Sequence, residues 1–128
     1  MTRQWKYSDK SKPAFPIVEV KLFTPWSASS SLLKETLQID SGADMTGIPL
    51  VVIDRLKSRL LAWEEVFDFD DNLLEDIPVY EVGIEILGLK FNSVRVYGLN
   101  SDLGFIGRDL LNGFLVSLDG PNQMSVFT

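Results

Sequence analysis

The chain has no histidine and no cysteine. Without cysteine there is no disulfide framework and no thiolate nucleophile. Without histidine there is no Ser-His-Asp triad, and the commonest metal ligand and general base is missing. Positive charge is also scarce: 12 basic residues face 18 acidic ones, a net charge of -6. A nucleic-acid surface needs a basic patch, so no nucleic-acid partner is expected. Long apolar runs are absent too. None approaches the roughly 20 residues that cross a bilayer, and the opening "MTRQWKYSDKSKPAFPIV" lacks the apolar core of a signal peptide. The sequence therefore predicts no membrane partner and a cytoplasmic protein. Carboxylate, lysine, tyrosine and hydroxyl chemistry is what remains.

What is present suits a single domain: 128 residues, 45% of them hydrophobic. Residues 1–14 are polar and mixed in charge, an arm or edge segment ahead of a domain over 15–128. "PIVEVKLF" alternates, placing Val18, Val20 and Leu22 on one face of a strand. "TPWSASSS" reads as a loop. "LLKETLQI" reads as a second strand, with Leu33, Leu37 and Ile39 toward the core. Pro49 suits the first turn of a helix. Ile53, Leu56, Leu60 and Trp63 follow at helical spacing, which predicts a helix over about 49–61. "VYEVGIEI" and "KFNSVRVYG" read as a hairpin joined at "LGL", with Tyr80, Val82, Ile84 and Ile86 sharing a face. A strand, a helical turn near 108–112, another strand, the turn "DGPN" and a last strand "MSVF" complete a mainly β chain with one or two short helices.

Two acidic stretches are candidates for chemistry. In "DFDDNLL", Asp68, Asp70 and Asn72 have the offsets of the first calcium-loop ligands. Leu73 stands where that loop needs glycine, and Val79 where it needs a bidentate glutamate, so a solvated turn is the better reading and no metal is expected. The other stretch is "LQIDSGADMTGIP". Taken alone, its Asp40 reads as a turn aspartate that caps backbone N–H groups. Its surroundings alter that reading. A strand delivers Asp40 into a turn, Gly42 permits tight geometry, and Ala43 leaves room. Further on, "FIGRDLL" repeats the logic, with Phe105 and Ile106 ahead of Gly107 and a helical turn.

Together "IDSGADMTGIP", "FIGRDLL" and the strand pair in "VGIEILGLKFNSVRVYG" resemble the retropepsin-like, single-domain aspartic proteases of retroviral type, over roughly residues 15–127. The resemblance implies an all-β fold: a closed acid-protease barrel, one lobe per chain, assembled as a two-fold homodimer. It implies an aspartic endopeptidase acting on peptide or protein substrates without a cofactor. Two carboxylates a few ångströms apart cannot both ionise easily, so they share a proton and together activate water. Such a dyad needs two aspartates, and this chain supplies one such motif, so Asp40 and its symmetry mate would form the pair and activity would require the dimer.

Residue by residue, the resemblance implies that Ser41 hydrogen-bonds across the dimer axis, Gly42 offers its carbonyl to the substrate backbone, and Ala43 lines the site. Asp44 would contact substrate or form an ion pair with Arg108, and both roles stay open. Asp109 would support the start of the helix. The family closes a hairpin flap over substrate, and spacing puts it near 66–80, with Asp70, Asp71 and Asn72 at the tip. That tip has no glycine. An acidic flap that still closes favours basic or polar substrates, whereas one that does not close leaves a catalytically weak dimer acting as a peptide-binding or scaffold module. The intact dyad motif favours the working enzyme.

Overall fold

The computed structural model describes residues 1–27, 32–67 and 70–128. Asp68 of the acidic turn and residues 28–31 of the first loop lie outside the described residues. In chain order the elements are β1 (Arg3–Lys6), β2 (Ile17–Phe23), β3 (Leu33–Ile39), β4 (Gly47–Pro49), α1 (Leu50–Leu56), β5 (Arg59–Phe67) and β6 (Leu73–Ile86). Then come β7 (Leu89–Leu99), β8 (Gly104–Ile106), α2 (Arg108–Leu111), β9 (Val116–Asp119) and β10 (Met124–Phe127).

Alternating side chains organise the main sheet. In β2, Val18, Val20 and Leu22 point inward and are buried. In β3, Leu37 is buried while Leu33 and Ile39 pack at the margin of the core. Each such aliphatic side chain removed from water contributes about 2 kcal/mol. β2 and β3 pair antiparallel from Ile17–Gln38 to Leu22–Leu33. The β6–β7 hairpin turns on Leu87 and Gly88, both at positive φ (54° and 79°), the backbone twist that a two-residue hairpin turn needs. The strand order is β2-β3-β8-β4-β7-β6-β5, and a further β2–β6 pairing closes the first six into a barrel. β5 is left outside it, as the outer strand of a hairpin with β6.

A second sheet has the order β1-β10-β9. Residues 3–6 of the polar N-terminal segment are thus paired in register with β10. Trp5 is buried there and meets Phe127 edge-on, with ring centroids 5.5 Å apart.

The helix expected over 49–61 is shorter. It ends at Leu56, because Lys57 takes a left-handed conformation (φ 52°) and its N–H returns to the Asp54 carbonyl. The chain then enters β5 at Arg59. Ile53 and Leu56 keep the inward positions that the spacing assigned them, but Leu60 and Trp63 lie on β5 and are 44% and 61% exposed. Among the described residues, no helix is long and apolar enough to cross a membrane.

Candidate active site

β3 and β8 run parallel, Ile39 beside Ile106. Where the pairing stops, the Asp40 N–H donates to the Ile106 carbonyl at 3.1 Å, so the aspartate leaves the sheet from a fixed point. The next residues make a tight turn: the Ala43 N–H donates to the Asp40 carbonyl (3.2 Å) and the Gly42 N–H to Asp40 Oδ1 (3.1 Å). The side-chain cap expected of a turn aspartate is therefore made, but it occupies one carboxylate oxygen only. Among the described residues no hydrogen bond or ion pair engages Oδ2. Asp40 is half-buried, and Ser41 and Gly42 are exposed.

The "FIGRDLL" segment holds this turn from behind. The Arg108 N–H donates to the Ala43 carbonyl at 2.9 Å and its Nη1 to the Ser41 carbonyl at 2.7 Å. Gly107 is where the two loops cross: a Cβ there would stand 2.8 Å from the Met45 carbonyl carbon and 3.0 Å from the Ala43 oxygen. Any side chain would push the loops apart.

Arg108 thus serves Ser41 rather than Asp44. The sequence-based pairing of Asp44 with Arg108 is not made: among the described residues Asp44 has no ion pair, and it is exposed. The guanidinium reaches the carbonyl two residues after β3 ends, and that contact already uses Nη1.

Asp109 does support the helix start, accepting the Leu110 N–H at 3.0 Å. It also does something that the sequence reading missed. Its carboxylate accepts both the Thr46 hydroxyl (2.8 Å) and the Thr46 N–H (3.1 Å). The Thr46 oxygen in turn accepts the Gly107 N–H (3.1 Å), and the Thr46 carbonyl accepts the Tyr97 N–H (2.9 Å). Every polar atom of a fully buried threonine is used. The only trace in the sequence is a hydroxyl at the head of the apolar run "GIPL".

The tip candidates Asp70, Asp71 and Asn72 lie between β5 and β6, as their spacing suggested, and are exposed. Asp71 adopts φ 61°, a left-handed conformation that aspartate tolerates better than most residues other than glycine. The base of this hairpin is tied to β7. The Tyr97 hydroxyl donates to Glu64 Oε2 at 3.0 Å, and Arg95 stands 3.5 Å from Glu64 Oε1. Burial first, and then the bond to Glu64, pushes the Tyr97 hydroxyl up to about 12. The fold therefore favours the neutral phenol. Its stabilisation is complete below the ordinary tyrosine value of 10 and is lost as pH rises through about 12. An alkaline titration followed by phenolate absorbance should contain a late step that Tyr97→Phe removes, and the wild type should lose stability across that window more steeply than the variant. If the step that the variant loses lies instead at the ordinary tyrosine value of 10, the Glu64 contact is not made.

An open cavity of about 840 Å³ lies beside the loop, walled in part by Asp44, Met45, Glu64, Phe91 and Tyr97. Asp40 is not among its walls.

No protein-family model matches the sequence, and no curated protein matches it. Solved structures do match. A retropepsin-like aspartic protease from Rickettsia conorii superposes with a TM-score of 0.64 at 14% identity, covering 99% of this chain and 91% of that one. The EIAV protease, complexed with an inhibitor, superposes with a TM-score of 0.56 at 18% identity, covering 80% of this chain and 90% of that one. At such identities the likeness is one of architecture, and it agrees with the two motifs and the closed barrel: the chain has the retropepsin-like aspartic protease fold.

Proposed function

We propose that the chain is an aspartic endopeptidase whose active site forms between two copies, with Asp40 from each. The observation that carries this reading is the placement of Asp40: at the end of β3, in a turn braced from the second motif, with one carboxylate oxygen capped and, among the described residues, the other unengaged. Brought together on a two-fold axis, two such carboxylates share one proton. The ionised one takes a proton from water as the oxygen attacks the scissile carbonyl carbon, and the protonated one hydrogen-bonds to and protonates the carbonyl oxygen. Collapse of the resulting diol then breaks the C–N bond, with a proton passing to the leaving nitrogen. Ser41 and Gly42, exposed beside Asp40, would meet the partner copy and the substrate backbone. The β5–β6 hairpin would cover the cleft.

The test is a pH–rate profile on a peptide library. A shared proton requires a bell, because the pair fails when it holds two protons and when it holds none. Turnover with no fall on one side would remove the dyad.

The hairpin tip motivates a second reading. The residues described there, Asp70, Asp71 and Asn72, offer no glycine to a moving flap, and a dimer that holds peptides without cutting them is its consequence. Binding of a transition-state-mimicking inhibitor such as pepstatin, with no turnover on any peptide, would favour that module over the enzyme.

A further inference from the structure

Trp26 sits where local rules disfavour it. The turn Thr24–Ser27 is closed by the Ser27 N–H on the Thr24 carbonyl at 3.2 Å, with Pro25 second and Trp26 third. Trp26 takes φ 60°, a left-handed conformation that the third position of such a turn normally gives to glycine or asparagine. The indole is also 74% exposed, so little burial offsets the strain of holding a bulky residue there. What the indole does is wall the cavity of about 840 Å³ beside the Asp40 loop, together with Phe91 and Tyr97. The other two rings are held in place. Phe91 meets Phe114 edge-on with centroids 6.2 Å apart, and the Tyr97 hydroxyl is fixed on Glu64 at 3.0 Å.

The charges in the wall are one-sided: Asp44, Glu64 and Asp109 against Arg95. Arg95 stands 3.5 Å from Glu64 and offsets it. Asp109 is taken up by Thr46 and by the Leu110 N–H. Asp44 is left, exposed and with no ion pair among the described residues. Three aromatic rings and one unpaired carboxylate fit a long apolar stem that ends in a cation. The stem lies against the rings, whose faces attract positive charge, and the charged end meets Asp44. An acidic side chain would be repelled there, and a neutral apolar one would take water from Asp44 without replacing it.

We infer that this cavity receives a lysine or arginine side chain of the peptide substrate, and that Trp26 and Asp44 set the preference. This rests on the endopeptidase reading and names its substrate class, with the selection made in the barrel wall and not at the hairpin tip. Asp44 lies four residues beyond Asp40, at most about 14 Å along the chain. An extended peptide advances about 3.3 Å per residue, so the basic residue falls within about four positions of the scissile bond. The second copy brings a second cavity, so the same preference is expected on the other side of that bond.

The test reads binding and cleavage separately. Peptides carrying lysine at each position in turn are compared with norleucine counterparts, which keep the stem and lose the charge. Binding is measured by fluorescence polarisation on Asp40→Asn, and cleavage on the wild type. Lysine within four positions of the scissile bond should tighten binding roughly tenfold or more, and in cleavage the gain should sit in KM. Asp44→Asn and Trp26→Ala, introduced into both backgrounds and checked for folding by circular dichroism, should each bring the lysine-to-norleucine ratio toward one. Asp44→Lys should turn the preference toward glutamate. Equal binding of lysine and norleucine peptides, or no binding of either, overturns the assignment whether or not the wild type cuts. A lysine preference that survives both variants places the cation elsewhere and overturns it too. A lysine preference in binding that both variants abolish, with no cleavage by the wild type, keeps the cavity and removes the endopeptidase.

Discussion

Asp40→Asn should yield a folded, dimeric protein that no longer cleaves peptide. The substitution is close to isosteric, and an asparagine oxygen can still accept the Gly42 N–H, so the turn keeps its cap. The bonds from Arg108 to the Ser41 and Ala43 carbonyls do not involve the side chain that changes. What disappears is a group able to take a proton from water and return it. Positioned proton transfer is worth roughly 10²–10⁴-fold, and in the proposed dyad both copies lose it at once, so the fall should be at or beyond the upper end of that range. Initial rates on a peptide library, with sedimentation and circular dichroism as controls, measure it. A variant that cut at the wild-type rate would place the chemistry elsewhere in the chain.

The second large effect should come from a residue that touches no substrate. Thr46→Val keeps the shape of a fully buried side chain and removes its oxygen. The Gly107 N–H then loses its acceptor inside the protein, and Asp109 loses a hydroxyl donor at 2.8 Å. A hydrogen bond to a charged group is worth about 1.5–3 kcal/mol, and a buried unsatisfied N–H costs about 1–3 kcal/mol, so a destabilisation of roughly 3 kcal/mol is expected. Denaturant melts of wild type and variant read this directly. Peptide cleavage should fall too, because Thr46 registers the Gly107 loop against the Asp40 loop. Thr46→Ser retains the oxygen and should restore most of both. A Val variant as stable as the wild type would show that water or a shifted backbone replaces the hydroxyl.

Much of this architecture was legible from alternation. The inward triplet of β2, the inward face of β3, the β6–β7 hairpin at Leu87–Gly88 and the short helical turn after Gly107 all follow from side-chain period and turn chemistry, which act locally. The end of α1 did not follow. A helical period fitted Ile53 through Trp63 because the outward residues Leu60 and Trp63 of β5 happen to continue it, and nothing in "LKSR" marks the left-handed turn at Lys57. The site divides in the same way. Asp40 and Gly107 stand in recognisable motifs. Thr46 does not, since a threonine ahead of an apolar run looks the same whether its hydroxyl meets water or a carboxylate from far along the chain. Arg108 was recognisable as a partner of the Asp40 loop, but which oxygen it meets depends on where the backbone carbonyls turn, and sequence does not carry that.

The bonds that brace the Asp40 turn have one further property, their span. Arg108 reaches Ser41 across 67 positions, Thr46 reaches Asp109 across 63, and the Gly107 N–H reaches Thr46 across 61. Closing loops of that length carries an entropic penalty that only a formed barrel offsets, and contacts of long sequence separation slow folding. A chain emerging during synthesis holds Asp40 long before it holds Arg108. Until the segment carrying Gly107, Arg108 and Asp109 is made and docked, the Asp40 loop has no brace, so the cleavage proposed for it waits on that docking and is withheld from any fragment that ends before Gly107.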